Sequence, residues 1–347
     1  YRVMGDFENM ELITQQIQSL DFGGEGMDSS ILTSFIEEAE TMRVGANYLQ
    51  AEALFQAEEY AQAAEEYVRL VNQNPDSEFA AAALNNASVA YEAIQRYEPA
   101  MRLYQRVVDE YPDCEFVDTA LYRVAVNSRR FFDFERATNT FLILAERDSD
   151  EERAKNALFS AAELQEYSGR IESASETFIR FAADYSADEN APIALYRAGL
   201  MMETAGQYGE MISVWDNMRS DYGDLFSTDT VPIDAMVIDT LRRTADYYNE
   251  IDLDFRSTSQ FYSRVLEEIA RRGSSDPDSV YSAGKSDFWL SEQEFNVWSA
   301  VAIQGTIEEQ QQVVQEQIAG IPALVESYSA VTDIGSAEWT MAAYFMI

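Results

Sequence analysis

Apolar and polar positions along this chain follow two nested spacings. The shorter one is helical. An aromatic, a small and a second aromatic residue stand at i, i+3 and i+7, which share one face of an α-helix. Tyr60, Ala63 and Tyr67 form the first such set. The longer spacing is 37 residues and carries the set to Tyr97, Ala100 and Tyr104, then to Phe134, Ala137 and Phe141. It continues through Ile171, Ala174 and Phe178 to Tyr208, Met211 and Trp215. A further column runs Ala83, Ala120, Ala157 and Ala194, each followed by a leucine. The small residue lets a neighbouring helix approach, and the flanking aromatics fill the space above and below it.

Helix ends punctuate the same period. The turns QAEEY, AIQRY, FFDF, SGRI and AGQY precede the aromatic helices. NPDSEF, YPDCEF, RDSDEE and YSADEN follow them, and read as a stop, an N-cap and an acidic first turn. The unit is helix–turn–helix, with breaks at Pro75 and Pro112. A period of this size marks stacked units that bury their faces against each other.

This pattern resembles the tetratricopeptide repeat. The resemblance covers 44–80, 81–117, 118–154, 155–191 and 192–222. A weaker sixth unit pairs IDAMVIDTLRRTADYY with FRSTSQFYSRVLEEIA, after a longer step. The family's usual unit is about three residues shorter. The longer spacing, with endings such as EYPDCEF, resembles the envelope-associated bacterial branch, as in outer-membrane assembly lipoproteins. The resemblance implies an all-α fold, an α-solenoid of helix–turn–helix repeats. It also implies a scaffold that binds a peptide segment or helix of another protein. The periplasm, the outer membrane's surface or the bacterial cell exterior would be its place.

The expected organisation is an N-terminal helical segment over 1–42, five repeats over 43–222 and an irregular sixth over 223–272. A linker follows over 273–290, from its Ser, Gly and Asp content, and then a C-terminal helical segment over 291–347. LDFGGEGMDSS reads as a loop and ILTSFIEEAETM as an amphipathic helix. SEQEFNVWSAVAIQGTIEEQQQVVQEQI reads as one long helix, broken at Gly320 and Pro322. The tail from Gly320 is similar to part of large repeat proteins of gliding and predatory bacteria. The chain is expected to continue beyond Ile347, because an amphipathic run stops there unpaired.

Composition narrows the chemistry. With 347 residues, 47% of them hydrophobic, the chain outgrows one compact core and suits an array. Acids outnumber bases 62 to 24, and the formal charge of −38 repels nucleic acid and anionic membrane surfaces. Lys155 and Lys285 are the only lysines, a balance that suits strong salt or an acidic proteome. No histidine occurs, which removes Ser-His and Cys-His pairs and histidine-ligated metals. Cys114 is the single cysteine, so no internal disulfide or paired-cysteine metal site forms. No apolar run is long enough to span a membrane. AGKS, 283–286, ends like a phosphate-binding loop, but Ser279 stands where its first glycine belongs. No catalytic, metal or cofactor site is expected, and the chain reads as non-enzymatic.

One island stands out, SRRFFDFERA over 128–137. Phe134 and Ala137 belong to the columns and to the core. Phe131 and Phe132 fall in a turn, one of them expected to pack on the next unit. Arg136 is expected to meet nearby acids on the outer face. Arg129 and Arg130 end a first helix, on the face that lines the inner groove in this family. That face is expected to present Tyr48, Asn85, Val89, Tyr122, Arg123, Val126, Arg129, Arg130, Phe159, Glu163, Tyr196 and Arg197. Aromatics with arginine anchor peptide interfaces; arginines also complement helix C-terminal dipoles and neighbouring carboxylates. The rival reading is a subunit that polymerises head to tail through apolar solenoid ends.

Overall fold

The protein is described by a computed structural model for residues 29–347 and Gln16. The expected loop over 20–30 lies outside these residues, except Ser29 and Ser30, which open a helix. Among the described residues every regular element is helical. The chain divides into two compact units, up to Ser168 and from Gly169, so the division falls inside the fourth expected repeat.

The first unit holds α1 (Ser29–Gln56), α2 (Tyr60–Gln73), α3 (Ala80–Ala93), α4 (Tyr97–Glu110), α5 (Val117–Arg130), α6 (Phe134–Arg147) and α7 (Glu151–Tyr167). Each helix packs on the next in sequence. The expected boundary at 42/43 falls inside the unbroken α1. The columns are the core: Ala63, Tyr67, Ala83, Leu84, Ala100, Tyr104, Ala120, Leu121, Ala137 and Phe141 are all buried. Each buried aromatic or leucine contributes about 1.5–3 kcal/mol relative to exposure. An outer tie repeats as well. Tyr111 donates its hydroxyl to the Pro75 carbonyl at 2.7 Å, and Arg147 reaches the Pro112 carbonyl at 3.1 Å.

Helix starts differ from the sequence reading. α3 and α5 begin after the acidic stretch, with Phe79 and Phe116 at the N-cap and no side-chain cap. The acids occupy a preceding turn, which Ser77 steadies by accepting the Phe79 amide at 3.1 Å. Of the four expected acidic starts, only that of α7 is found, with Asp150 accepting from the Arg153 amide.

The joint inside each pair is a left-handed residue. Glu58, Gln95 and Phe132 have φ of 61°, 60° and 62° in the first unit, and Gly169 and Gly206 have 71° and 72° in the second. Helices α1, α3 and α5 close there by a Schellman bond: Glu59 to Leu54, Arg96 to Tyr91 and Asp133 to Ser128, at 2.8–2.9 Å.

The second unit holds α8 (Ile171–Asp184), α9 (Ala191–Thr204), α10 (Tyr208–Tyr222), α11 (Ile233–Tyr247), α12 (Phe255–Arg272), α13 (Pro277–Ser299), α14 (Ile307–Ile334) and α15 (Ala337–Met346). A π-helical turn, Tyr248–Asp252, separates α11 from α12. α8, α9 and α10 stack closely, whereas α10 meets α11 only sparsely. Loop 223–231 fills the longer step. The Arg272 guanidinium is fully buried and binds Asp234, Glu268 and the carbonyls of Gly223 and Leu225.

The linker expected over 273–290 is a correction. From Pro277 it is helix α13, capped by Asp276, which accepts the Ser279 amide at 3.0 Å. Its small residues form a packing face. Ser279, Ser282, Ala283 and Ser286 are buried. A Cβ on Gly284 would stand 3.0 Å from the Trp339 ring on α15. AGKS is thus a close helix contact, and Lys285 pairs with Asp246 at 2.9 Å. The expected break at Gly320 and Pro322 is also absent. The chain turns instead between Ala300 and Thr306, and α14 runs through Pro322. Pro322 and Ile318 are both exposed, so the carbonyl that the proline leaves unmatched can bond water.

Candidate functional site

Helix α5 has two stripes. Val117, Ala120, Leu121, Val124 and Ala125 face the core and are buried. Tyr122, Arg123, Val126, Arg129 and Arg130 form the adjoining stripe by the same helical spacing. Tyr122, Arg123, Arg129 and Arg130 are exposed and Val126 half-buried.

That stripe borders a cleft of about 690 Å³ in which Arg123, Val126, Arg129 and Arg130 meet Glu92, Tyr97, Asn127 and Phe132. Glu92 organises the floor. Its carboxylate accepts from Asn127 Nδ2 at 2.9 Å and from the Tyr104 hydroxyl at 3.3 Å, with Arg123 Nη1 at 3.6 Å. Burial and the Glu92 charge push the Tyr104 hydroxyl well above its ordinary pKa, so it stays a donor. The rim is cationic and aromatic. Arg130 lies 4.4 Å from the Tyr97 ring centroid, a cation–π distance. Neither Arg129 nor Arg130 forms an ion pair among the described residues.

Phe132 completes the rim. It is 77% exposed at φ +62°, with its ring edge-on to Phe134 at 5.9 Å. Phe131 is 50% exposed and turns back towards Tyr97 at 6.4 Å. The expectation that one of them packs on the next unit is corrected: Phe134 makes that contact, with Tyr167 at 5.1 Å. Arg136 hydrogen-bonds Gln105 at 2.9 Å rather than an acid.

The other expected groove residues do not line this cleft. Tyr48 packs between Tyr67 and Phe79 and accepts from Asn86 at 2.9 Å. It lines a separate cleft of about 420 Å³ with Met42 and Leu49. Asn85 and Val89 lie on α3, the former half-buried and the latter exposed. Phe159 and Glu163 are half-buried on α7. Tyr196 and Arg197 belong to the second unit, where Tyr196 donates to Asp239 at 2.8 Å and Arg197 covers the Phe178 ring at 4.6 Å. Sequence reasoning passed over Glu92, Asn127 and Phe132 as site residues, and took Tyr97 only as core. The signal for Phe132 was present: the same joint carries glycine at Gly169 and Gly206.

Stacked antiparallel helix pairs with a side-chain cleft along the first helices define an α-solenoid of the interaction type. The tetratricopeptide repeat family model matches residues 46–77 and 82–113. The chain therefore contains tetratricopeptide repeats, a fold that serves as a scaffold for contacts between proteins. Among solved structures, it is similar to YrrB, described as a tetratricopeptide repeat protein with an unusual peptide-binding site. The identity is 16% and the TM-score 0.36, over 55% of this chain and 92% of that one. A tetratricopeptide repeat protein from Parabacteroides merdae shares 13% identity, TM-score 0.36, over 79% and 98%. The C-terminal part of a repeat protein from Cytophaga hutchinsonii shares 11%, TM-score 0.43, over 84% and 96%. A comparison with curated proteins finds no match. Among the described residues, no helix is long and apolar enough to cross a membrane.

Proposed function

We propose that this protein is a non-enzymatic scaffold of a bacterial cell envelope, and that the cleft beside α5 takes an extended acidic segment of a partner protein. One observation carries the reading. A large aromatic is held exposed in a left-handed conformation, at a joint filled elsewhere by the polar Glu58 and Gln95 or by glycine. Such strain persists where a side chain has a use beyond folding. Arg129 and Arg130 stand beside it and are not needed as caps. The N–H groups of Phe131, Phe132 and Asp133 already bind the carbonyls of Asn127, Arg129 and Ser128. The chain's negative charge does not prevent an acidic ligand, because screening over about 8 Å at physiological salt leaves nearby arginines in control. Envelope residence rests on the long repeat step and its EYPDCEF-type endings.

The test is fluorescence anisotropy with a labelled library of Asp/Glu-rich peptides, half of them bearing one aromatic. Wild type should bind aromatic acidic members, more weakly as salt rises. Arg129→Ala/Arg130→Ala should lose at least ~10-fold, and Phe132→Gly should lose affinity without losing stability. Equal binding by all three proteins would overturn the reading.

A second reading, a subunit that polymerises head to tail, is favoured by α15. It exposes Met341, Tyr344 and Phe345, the last at 89%. Regular filaments of purified protein under the electron microscope would support it, and single particles at every salt level would oppose it.

A further inference from the structure

Helix α14 leaves a seam open. Ile307, Val314, Ile318, Ile321 and Val325 are exposed on it, and Gln311 fills the remaining place at alternating steps of three and four. This is the a/d pattern of a coiled coil. The helix has its own start, a capping box in which Thr306 and Glu309 bond each other's amides. Its other face is already engaged. Trp298 of α13 donates to the Gln317 carbonyl at 3.0 Å, and its ring lies beside Gly320. α15 packs at the far end, where its Ala343 is buried in one cluster with Tyr328 and Val331. Neither neighbour covers the seam, where Ile318 stays 55% exposed and Ile321 44%.

We propose that a second copy of this chain closes the seam, with the two α14 helices antiparallel about a two-fold axis between residues 319 and 320. Charge selects this occupant and this geometry. The chain carries −38, yet between Gln310 and Val325 the helix bears one charge, Glu316. Two copies meet here without the repulsion that the rest of their surfaces imposes. The antiparallel register sets Ile318 against Ile321 of the second copy and Val314 against its Val325. Glu316 then falls opposite Ala323 and Glu326 opposite Val313, so no acid faces an acid. A parallel pair would set Glu316 on Glu316. The contact is self-complementary and closes at two copies, unlike a head-to-tail chain. It does not rest on the cleft beside α5.

The experiment is analytical ultracentrifugation of the whole protein over a wide concentration range, at low and high salt. A monomer–dimer equilibrium that tightens with salt is expected, because salt screens the like charges. Ile318→Glu/Ile321→Glu should weaken dimerisation at least ~100-fold while leaving thermal unfolding of the monomer unchanged. Should that variant misfold, Ile318→Ser/Ile321→Ser gives the same reading. Cys114→Ser/Ile318→Cys/Ile321→Cys should form a covalent dimer under mild oxidation. A monomer throughout, a dimer indifferent to these substitutions, or growth beyond two copies overturns the proposal. Loss of peptide binding in the Arg129/Arg130 variant bears on the cleft alone.

Discussion

The first unit and the second half of the second unit solve one packing problem by opposite means. In the first unit, helix meets helix through small apolar residues and aromatics, with Ala63, Tyr67, Ala100 and Tyr104 fully or almost fully buried. Beyond α10 charged side chains join apolar ones such as Val237, Leu241 and Val265 in the interior. Asp239 accepts from Arg242 and Arg243, each at 2.6 Å, and from Tyr196 at 2.8 Å. Asp246 accepts from Arg242 and Tyr262, both at 2.6 Å, and pairs with Lys285. Apolar columns need a constant step. Where the step lengthens, long charged side chains bridge helices that small residues cannot bring together.

The sharpest way to break this comparison is to remove the hub. Asp239→Ala should destabilise the second unit by ~1–3 kcal/mol, because Arg242 and Arg243 each lose one of two carboxylates, keeping Asp246 and Glu203, and the Tyr196 hydroxyl loses its acceptor. All four tryptophans, Trp215, Trp289, Trp298 and Trp339, lie in that unit, so fluorescence in a denaturant titration reports on it. The pH dependence has a definite sign. Burial alone would raise the Asp239 pKa, but the Arg242 and Arg243 charges outweigh it and hold the group below its ordinary value. Its contribution is therefore complete above about pH 3.9 and is lost as pH falls through the depressed value. The stability gap between wild type and Asp239→Asn should narrow over that acidic window. A gap constant with pH would mean that the hub is not ionised in the fold.

A similar effect tests the apolar mode at its limit. A Cβ on Gly199 would stand 2.0 Å from Trp215 Nε1, which donates to the Tyr196 carbonyl at 3.2 Å. Gly199→Ala should cost ~1–3 kcal/mol, and Trp215→Phe in the same chain should recover much of it. Independent, additive losses would show that the two residues do not share one space. Next comes Arg219 on α10, buried with Nε and Nη1 unpartnered and held mainly by Asp216. Burial lowers its pKa. Arg219→Met should raise stability by ~1 kcal/mol or more, since an apolar side chain of similar length suits that place better. A lower melting temperature would show that the guanidinium is satisfied. The smallest change is Tyr111→Phe, which cuts the tie to Pro75 and should cost about 0.5–1 kcal/mol by thermal melting.

The same contrast explains what could be read from the sequence. Helix pairs were legible because Tyr60, Tyr97 and Phe134 open helices at a fixed step, and apolar periodicity survives without coordinates. Arg123, Val126, Arg129 and Arg130 were legible as neighbours because one helix spaces them. The bond from Tyr196 to Asp239 was not legible, because the two come from different helices and no spacing rule links them. Segment 273–290 was misread because serines and a glycine suggest a loop. The pair Asp276-Pro277, an N-cap followed by a first-turn proline, was the local evidence for a helix. Phe132 was misjudged because a left-handed φ is a backbone property, visible only through the glycines in its column.

Those joints have an evolutionary consequence. Glu58, Gln95, Phe132, Gly169 and Gly206 are all exposed, and the backbone shape there tolerates having no side chain. A mutation at such a position changes what the array displays while sparing how it stacks. Each helix pair thus offers a socket whose occupant can be exchanged, letting a lineage alter its recognition vocabulary one residue at a time.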